Sequence, residues 1–236
     1  MLRAERSAGV LTLTLARPER GHALASDLVE ALLAAVQGAS AESTLHTLLL
    51  RAEGRHFCTG LDLSDLESSR DADWLQRLVR IETLLQALWQ SPLATVALAQ
   101  GRAWGAGADL FAACEIRIAA PDASFRFPGA QFGIVLGTRR LAARIGTDAA
   151  RALVIGGGTL DAAAARAAGL VTAIGTEPVL TPPVIDAATA RAVRTASRGD
   201  PPGAADADLA ALVRSAAEPG LKTRIQAYRE RQLAAR

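Results

Sequence analysis

Two stretches of this chain share a design suited to holding an anion. LLLRAEGRHFCTGLDL, residues 48–63, and TVALAQGRAWGAGADL, residues 95–110, each run from a short apolar strand into a loop of small residues. Small residues let a ligand approach the backbone closely, and unbonded N–H groups at a helix start carry partial positive charge. Two such N–H groups converging on one oxygen form an oxyanion hole, the device that stabilises the enolate or tetrahedral oxyanion of a thioester. Each loop alone is weak evidence. GAGADL also has the outline of a dinucleotide fingerprint, but Leu110 stands where a third small residue is needed for close helix–strand packing, and that reading is set aside.

Regular elements must hold these loops in place. Residues 10–16 alternate Leu and Thr, which predicts a strand with two different faces, and RPERG follows as a turn. Asp27 and Glu30 have the spacing of a capping box, with Leu28, Leu32, Leu33 and Val36 on one face of the helix they would start. Residues 47–50 and 95–98 are short apolar runs suited to buried strands. Between them Leu75, Leu78, Ile81, Leu84, Leu85 and Leu88 fall at helical spacing. The alternation of strand and helix predicts an α/β layered core. From residue 149 the pattern changes to Ala-rich helical segments around 149–155 and 161–168, a Pro-broken stretch at 178–183, and helices to the end.

Composition narrows the partners. A chain of 236 residues that is 50% hydrophobic and 21% charged is long enough for one large domain with a full core. With 4% aromatic residues, stacking platforms for single-stranded nucleic acid are hard to assemble. The net charge of +2, without blocks of like charge, points to neither nucleic acid nor an anionic membrane. The opening MLRAERSAGV lacks the apolar core of a signal peptide and no run is long enough to span a bilayer, so a cytoplasmic protein is expected. Cys58 and Cys114 make no disulfide framework and show no metal-ligand spacing with His22, His46 and His56; no metal is expected.

Four segments, in order, carry a resemblance. RPERGHAL resembles the RPxxxNAL segment of the crotonase (enoyl-CoA hydratase/isomerase) superfamily, and EGRHFCTGLDL its GxxFCAGADL. GRAWGAGADLFAACEIRIAAPDASF resembles GxxxGGGxELAxxCDxxxAxxxAxF, and GGGTLDAAAARAAGLV resembles TGxxxxAxxAxxxGLV. The likeness covers about residues 10–175 and is loose beyond. It implies a crotonase-like spiral of ββα units with a helical C-terminal region: a core over residues 1–175 with a CoA-thioester site, and residues 176–236 for assembly as trimers or dimers of trimers. Coenzyme A would be part of the substrate, with no separate cofactor.

Carried over residue by residue, the oxyanion donors are the backbone N–H groups of Leu61 and Ala106. Arg20, His22, Ala23, Gly60 and Asp62 would border the coenzyme A channel. Asp109 stands where the family's first catalytic glutamate is found, one methylene shorter, and the second glutamate position falls on Gly129. Hydration needs both a proton acceptor and a proton donor near the double bond, and glycine moves no proton. The loop after it, AQFGIVLGTRRLA, is about three residues shorter than the family's and offers no Asp or Glu before Arg139 and Arg140. Asp109 can equally be an acid in a first helical turn, stabilised by the dipole. A single carboxylate suits isomerisation or related proton transfer better than efficient hydration; the alternative is a catalytically silent acyl-CoA-binding or scaffold member.

Other residues have two readings. His22 and His56 could supply a proton, although a loop histidine is more often solvated surface. Arg20 could meet a phosphate or face solvent as a turn residue. Lys222, Arg224, Arg229 and Arg231 could reach the nucleotide of a neighbouring subunit, a charged helix face being the commoner explanation. Both cysteines read as buried small hydrophobes.

Overall fold

The computed structural model describes residues 1–178 and 180–234. Val179, inside the Pro-broken stretch, and the last two residues of the C-terminal region lie outside the described residues. In chain order the strands are β1 (Leu2–Ser7), β2 (Val10–Leu15), β3 (Thr47–Ala52), β4 (Ala94–Ala99), β5 (Arg102–Trp104), β6 (Ile116–Ala119), β7 (Ser124–Arg126), β8 (Thr159–Asp161) and β9 (Ala173–Ile174). The helices are α1 (Ser26–Ala41), α2 (Asp71–Trp89), α3 (Ala106–Ala113), α4 (Thr138–Ile145), α5 (Thr147–Gly156), α6 (Ala162–Ala167), α7 (Ala187–Ala196), α8 (Ala204–Ala217) and α9 (Leu221–Ala234).

One sheet runs β1-β2-β3-β4-β6-β9, parallel except for the first pair, and a small second sheet runs β5-β7-β8. In β2 the predicted alternation holds: Leu11, Leu13 and Leu15 are buried and the threonines lie on the other face. β3 and β4 are apolar on both faces because both are covered, as parallel strands require. The helices cover one face. On the other, Leu49, Val96, Leu98 and Ile118 pack with Val10 and Leu180. Full burial of one leucine side chain is worth about 1.5–3 kcal/mol, so the buried leucines of α1 and α2 hold these helices firmly on the core.

The expected capping box of α1 is not formed. Ala25 is the N-cap, Asp27 accepts only the adjacent Leu28 N–H, and Glu30 turns outward to pair with Arg80 of α2 at 2.6 Å. The C-terminal helices pack back on the core: Leu212, Ala216, Leu221 and Ile225 join Leu66, Trp74, Leu78 and Ile134 in one buried cluster. Among the described residues no helix is long and apolar enough to cross a membrane.

Candidate active site

The two small-residue loops lie side by side. Trp104 N–H donates to the Cys58 carbonyl (2.9 Å) and Cys58 N–H to that of Arg102 (3.1 Å), zipping the first loop to β5. On its other side the first loop pairs with residues 21–24. Leu24 N–H donates to the Gly60 carbonyl and Asp62 N–H to that of Leu24. In such a ladder the N–H of the intervening residue points the opposite way. Leu61 is that residue, and among the described residues its N–H has no partner.

Gly60 and Gly107 make this approach possible. Gly60 sits at φ +97°, and a Cβ there would lie 2.8 Å from the Trp104 carbonyl oxygen and 3.5 Å from the Ala106 nitrogen. At Gly107 a Cβ would lie 2.3 Å from the Cys58 carbonyl oxygen, so only glycine lets the start of α3 rest on the first loop. Ala106 is the first residue of α3, and its N–H, too, has no partner among the described residues. Leu61 and Ala106, each with an unbonded N–H, therefore line one cavity, which also bears Gly60, Gly105 and Asp109 on its wall. With its open mouth included, the cavity spans about 860 Å³. Most of the lining is apolar, from Leu63, Leu78, Phe132, Ile134, Ile225 and Tyr228 among others.

Asp109 lies in the first turn of α3 and is 6% exposed. Its Oδ1 is buried without a hydrogen-bond partner among the described residues. Burial holds the carboxyl well above the ordinary carboxylate range; the nearby Arg140 pulls it partly back and Glu82 pushes it further up. The side chain rests on Gly137, at φ +65° the residue that caps α4, where a Cβ would be 2.1 Å from Asp109 Oδ1. Gly129 is in the cavity wall, in a 3-10 helix over Pro128–Phe132, and presents no side chain to it.

The residues expected along the coenzyme A channel divide. Arg20 is exposed in the 3-10 helix Pro18–Arg20, and Ala23 is half-buried beside it. Asp62 is buried in structural bonds, accepting the Ser64 N–H (2.9 Å) and facing Arg17 at 3.6 Å. His22 is not solvated, contrary to expectation. It is fully buried with φ +54°, Nδ1 accepts the Arg17 N–H (3.0 Å), and Nε2 donates to the Glu53 carbonyl (2.8 Å). Burial lowers its pKa, so it is neutral and holds the turn together. His56 is half-buried, with Nδ1 accepting the Arg102 N–H (3.2 Å).

The cations of α9 are engaged within the chain. Arg224 donates to the carbonyls of Phe132, Gly133, Ser215, Ala216 and Glu218, Lys222 to that of Glu67, and Arg231 to that of Gln131. Arg229 faces the Glu67 carboxylate at 3.7 Å. Through Arg224, α9 is fixed over the loop before α4, with Ile225 and Tyr228 in the cavity wall. Both cysteines are fully buried, with thiols pushed up to about 12.

A family model described as enoyl-CoA hydratase/isomerase matches residues 5–200. The chain belongs to the enoyl-CoA hydratase/isomerase family. It is 36% identical over 181 residues to a Mycobacterium leprae protein named as a probable enoyl-CoA hydratase, covering 74% of this chain and 71% of that one. A crystal structure described as an enoyl-CoA hydratase/isomerase from Bordetella parapertussis superposes with a TM-score of 0.89 at 42% identity, over 96% of this chain and 97% of that one. A Bacillus halodurans enoyl-CoA hydratase shares the fold, with a TM-score of 0.80 at 23% identity over 96% of this chain and 99% of that one. The crotonase-like α/β fold expected from the four segments is thus the fold of this enzyme family member.

Sequence reasoning missed the surroundings of Asp109. Glu82 of α2 and Asp208 of α8 both bond Arg140 in the interior, far from the family-like loops in sequence. One signal was available: Glu82 falls in the middle of the apolar stripe Leu78, Ile81, Leu85, where a charge is buried unless the helix turns away.

Proposed function

We propose that this protein binds an acyl-CoA thioester, holds the thioester oxygen on the Leu61 and Ala106 N–H groups, and moves a proton with Asp109. The observation that carries this reading is the meeting of two unbonded N–H groups and one buried, unpaired carboxyl in a single apolar cavity. The acyl chain suits that lining, and the nucleotide end would pass Arg20 and the backbone at Ala23 and Gly60. His22 and Asp62 act by shaping that channel. In isomerisation, the Asp109 carboxylate removes the α-proton of a 3-enoyl thioester. The C–H electron pair becomes the enolate, whose O⁻ is stabilised by the two N–H groups. Protonated Asp109 returns the proton to the γ-carbon as the double bond moves to the α,β position, so no proton is gained or lost. A carboxyl with a raised pKa is a stronger base toward carbon acids than an ordinary one. Hydration needs a second proton-handling group, and Gly129 supplies none.

The reading includes assembly as trimers or dimers of trimers in the cytoplasm, with residues 1–175 as the catalytic core and the segment beyond as the assembly region. Gly129 also motivates a second reading, a silent acyl-CoA-binding member. A panel of 2-enoyl-, 3-enoyl-, dienoyl- and malonyl-type CoA thioesters in D₂O, followed by product mass, separates the two. The expected result is conversion of the 3-enoyl thioester with deuterium entering at carbon, lost in Asp109→Asn while thioester binding persists. Binding without any turnover or exchange selects the silent reading. Turnover that survives Asp109→Asn removes Asp109 from the mechanism.

A further inference from the structure

Arg140 is 1% exposed, yet it does not line the cavity. It donates to Glu82 at 2.5 Å and to Asp208 at 3.1 Å, while its Nε has no partner among the described residues. Arg139 shares Asp208 at 2.8 Å and also pairs with Asp200. Replacing a buried ion pair by apolar residues is often neutral or stabilising, so stability alone is a poor account of this cluster. Its place suggests another. The Asp109 carboxyl rests on Gly137, and Arg140 lies three residues further on, within the first turn of α4. A carboxylate isolated in an apolar cavity would be very costly to form, and a fixed cation beside it reduces that cost.

We propose that Arg140 acts on Asp109 through its charge rather than through a contact: its guanidinium, fixed by Glu82 and Asp208 in the first turn of α4 behind Gly137, is the cation that lets the carboxyl part with its proton inside the apolar cavity. The inference rests on the reading of Asp109 given above. Two charged groups act on Asp109, Arg140 from α4 and Glu82 from α2; Asp208 of α8 bonds Arg140 and Arg139, Asp200 pairs with Arg139, and Arg144 of α4 donates to the Ala112 carbonyl at the far end of α3. β4 carries no ionisable side chain, and Arg102 of β5 stacks on Trp104 at 4.6 Å. Arg140 favours the ionised carboxyl and Glu82 opposes it, so removing the Glu82 charge leaves Arg140 less neutralised and lets Asp109 ionise at lower pH.

The test is the infrared carbonyl band of protonated Asp109 in ligand-free protein labelled with ¹³C-aspartate, isolated by subtracting Asp109→Asn and followed against pH. In Glu82→Gln the band should disappear at lower pH than in wild type. The pH profile of thioester proton transfer should move the same way, with KM unchanged. Asp208→Asn, at the more exposed edge of the cluster, should move the band in the same direction and guards against misfolding of the first variant. Glu30→Gln, which breaks the outer pair with Arg80, should move neither. An unmoved band and profile in a folded Glu82→Gln or Asp208→Asn overturns the proposal, as does an equal shift in Glu30→Gln. Turnover surviving in Asp109→Asn would instead sink the reading of the site, and the ligand-free titration would still judge the cluster.

Discussion

Gly129→Glu should convert the site toward hydration. Gly129 does not have the positive φ that strains an L side chain, so the backbone accepts glutamate. A Cβ there would lie 3.1 Å from the Ile134 carbonyl oxygen, with the next contacts at 3.9 Å. The Ile134 N–H donates to the Gly129 carbonyl at 2.9 Å, so this small turn must open by a few tenths of an ångström. Overpacking of that kind costs about 1–3 kcal/mol, at the low end here because a single contact is involved. The rest of the side chain has the cavity to enter. Its apolar lining favours a protonated carboxyl, giving the site the acid or base it lacks beside Asp109. One added general acid–base group contributes about 10²–10⁴-fold. The assay is loss of the conjugated 2-enoyl thioester, with uptake of ¹⁸O from labelled water read by mass. A folded variant that binds enoyl-CoA and hydrates no faster than wild type would refute the two-carboxylate reasoning. So would a wild type that already hydrates at the variant's rate.

Asp109→Asn should stabilise the protein at neutral pH. The folded carboxyl titrates above its unfolded value, so the native state binds the extra proton and Asp109 costs stability as pH rises through the folded value. Replacing the buried, unpaired carboxyl with an amide should gain about 1–2 kcal/mol, or roughly 2–8 °C in Tm by calorimetry, with less gain at acid pH. For His22 the folded pKa is below the ordinary 6.5, so the unfolded chain takes the extra proton and stability falls as pH drops below 6.5; His22→Gln should flatten that part of the Tm–pH curve. Gly137→Ala places a Cβ on Asp109 Oδ1 at a left-handed φ, and should cost about 1–2 kcal/mol in denaturant melts and up to a hundredfold in kcat. Arg224→Ala frees α9 from five carbonyls, and should raise KM for long-chain thioesters more than for short ones, because Ile225 and Tyr228 leave the cavity wall.

The family fold and the two loops were legible because they are local. Strand and small residues follow one another within each sixteen-residue stretch, with a helix start in the second, and the proposed donors are backbone groups that tolerate Leu61 and Ala106. β1 was not legible: LRAERS is a mostly exposed edge strand whose polar side chains give no alternating pattern. The second sheet was missed for a different reason, since strands of three residues are too short to show a period. At α1 the Asp27/Glu30 spacing misled because Glu30 has a better partner in Arg80, fifty residues away.

The same division separates the two halves of the chemistry. An oxyanion hole asks only where two N–H groups point, and Gly60 and Gly107, each legible in its own loop, let the two loops approach closely. Proton transfer asks what charge surrounds a carboxyl, and for Asp109 that depends on α2, α4 and α8, which meet only in the folded protein. A glutamate at position 129 would have given hydration a second acid–base group in the cavity wall. Without one, the proposed reading has every proton taken and returned by Asp109, its readiness to do so governed by the charge of Arg140 that Glu82 and Asp208 hold in place.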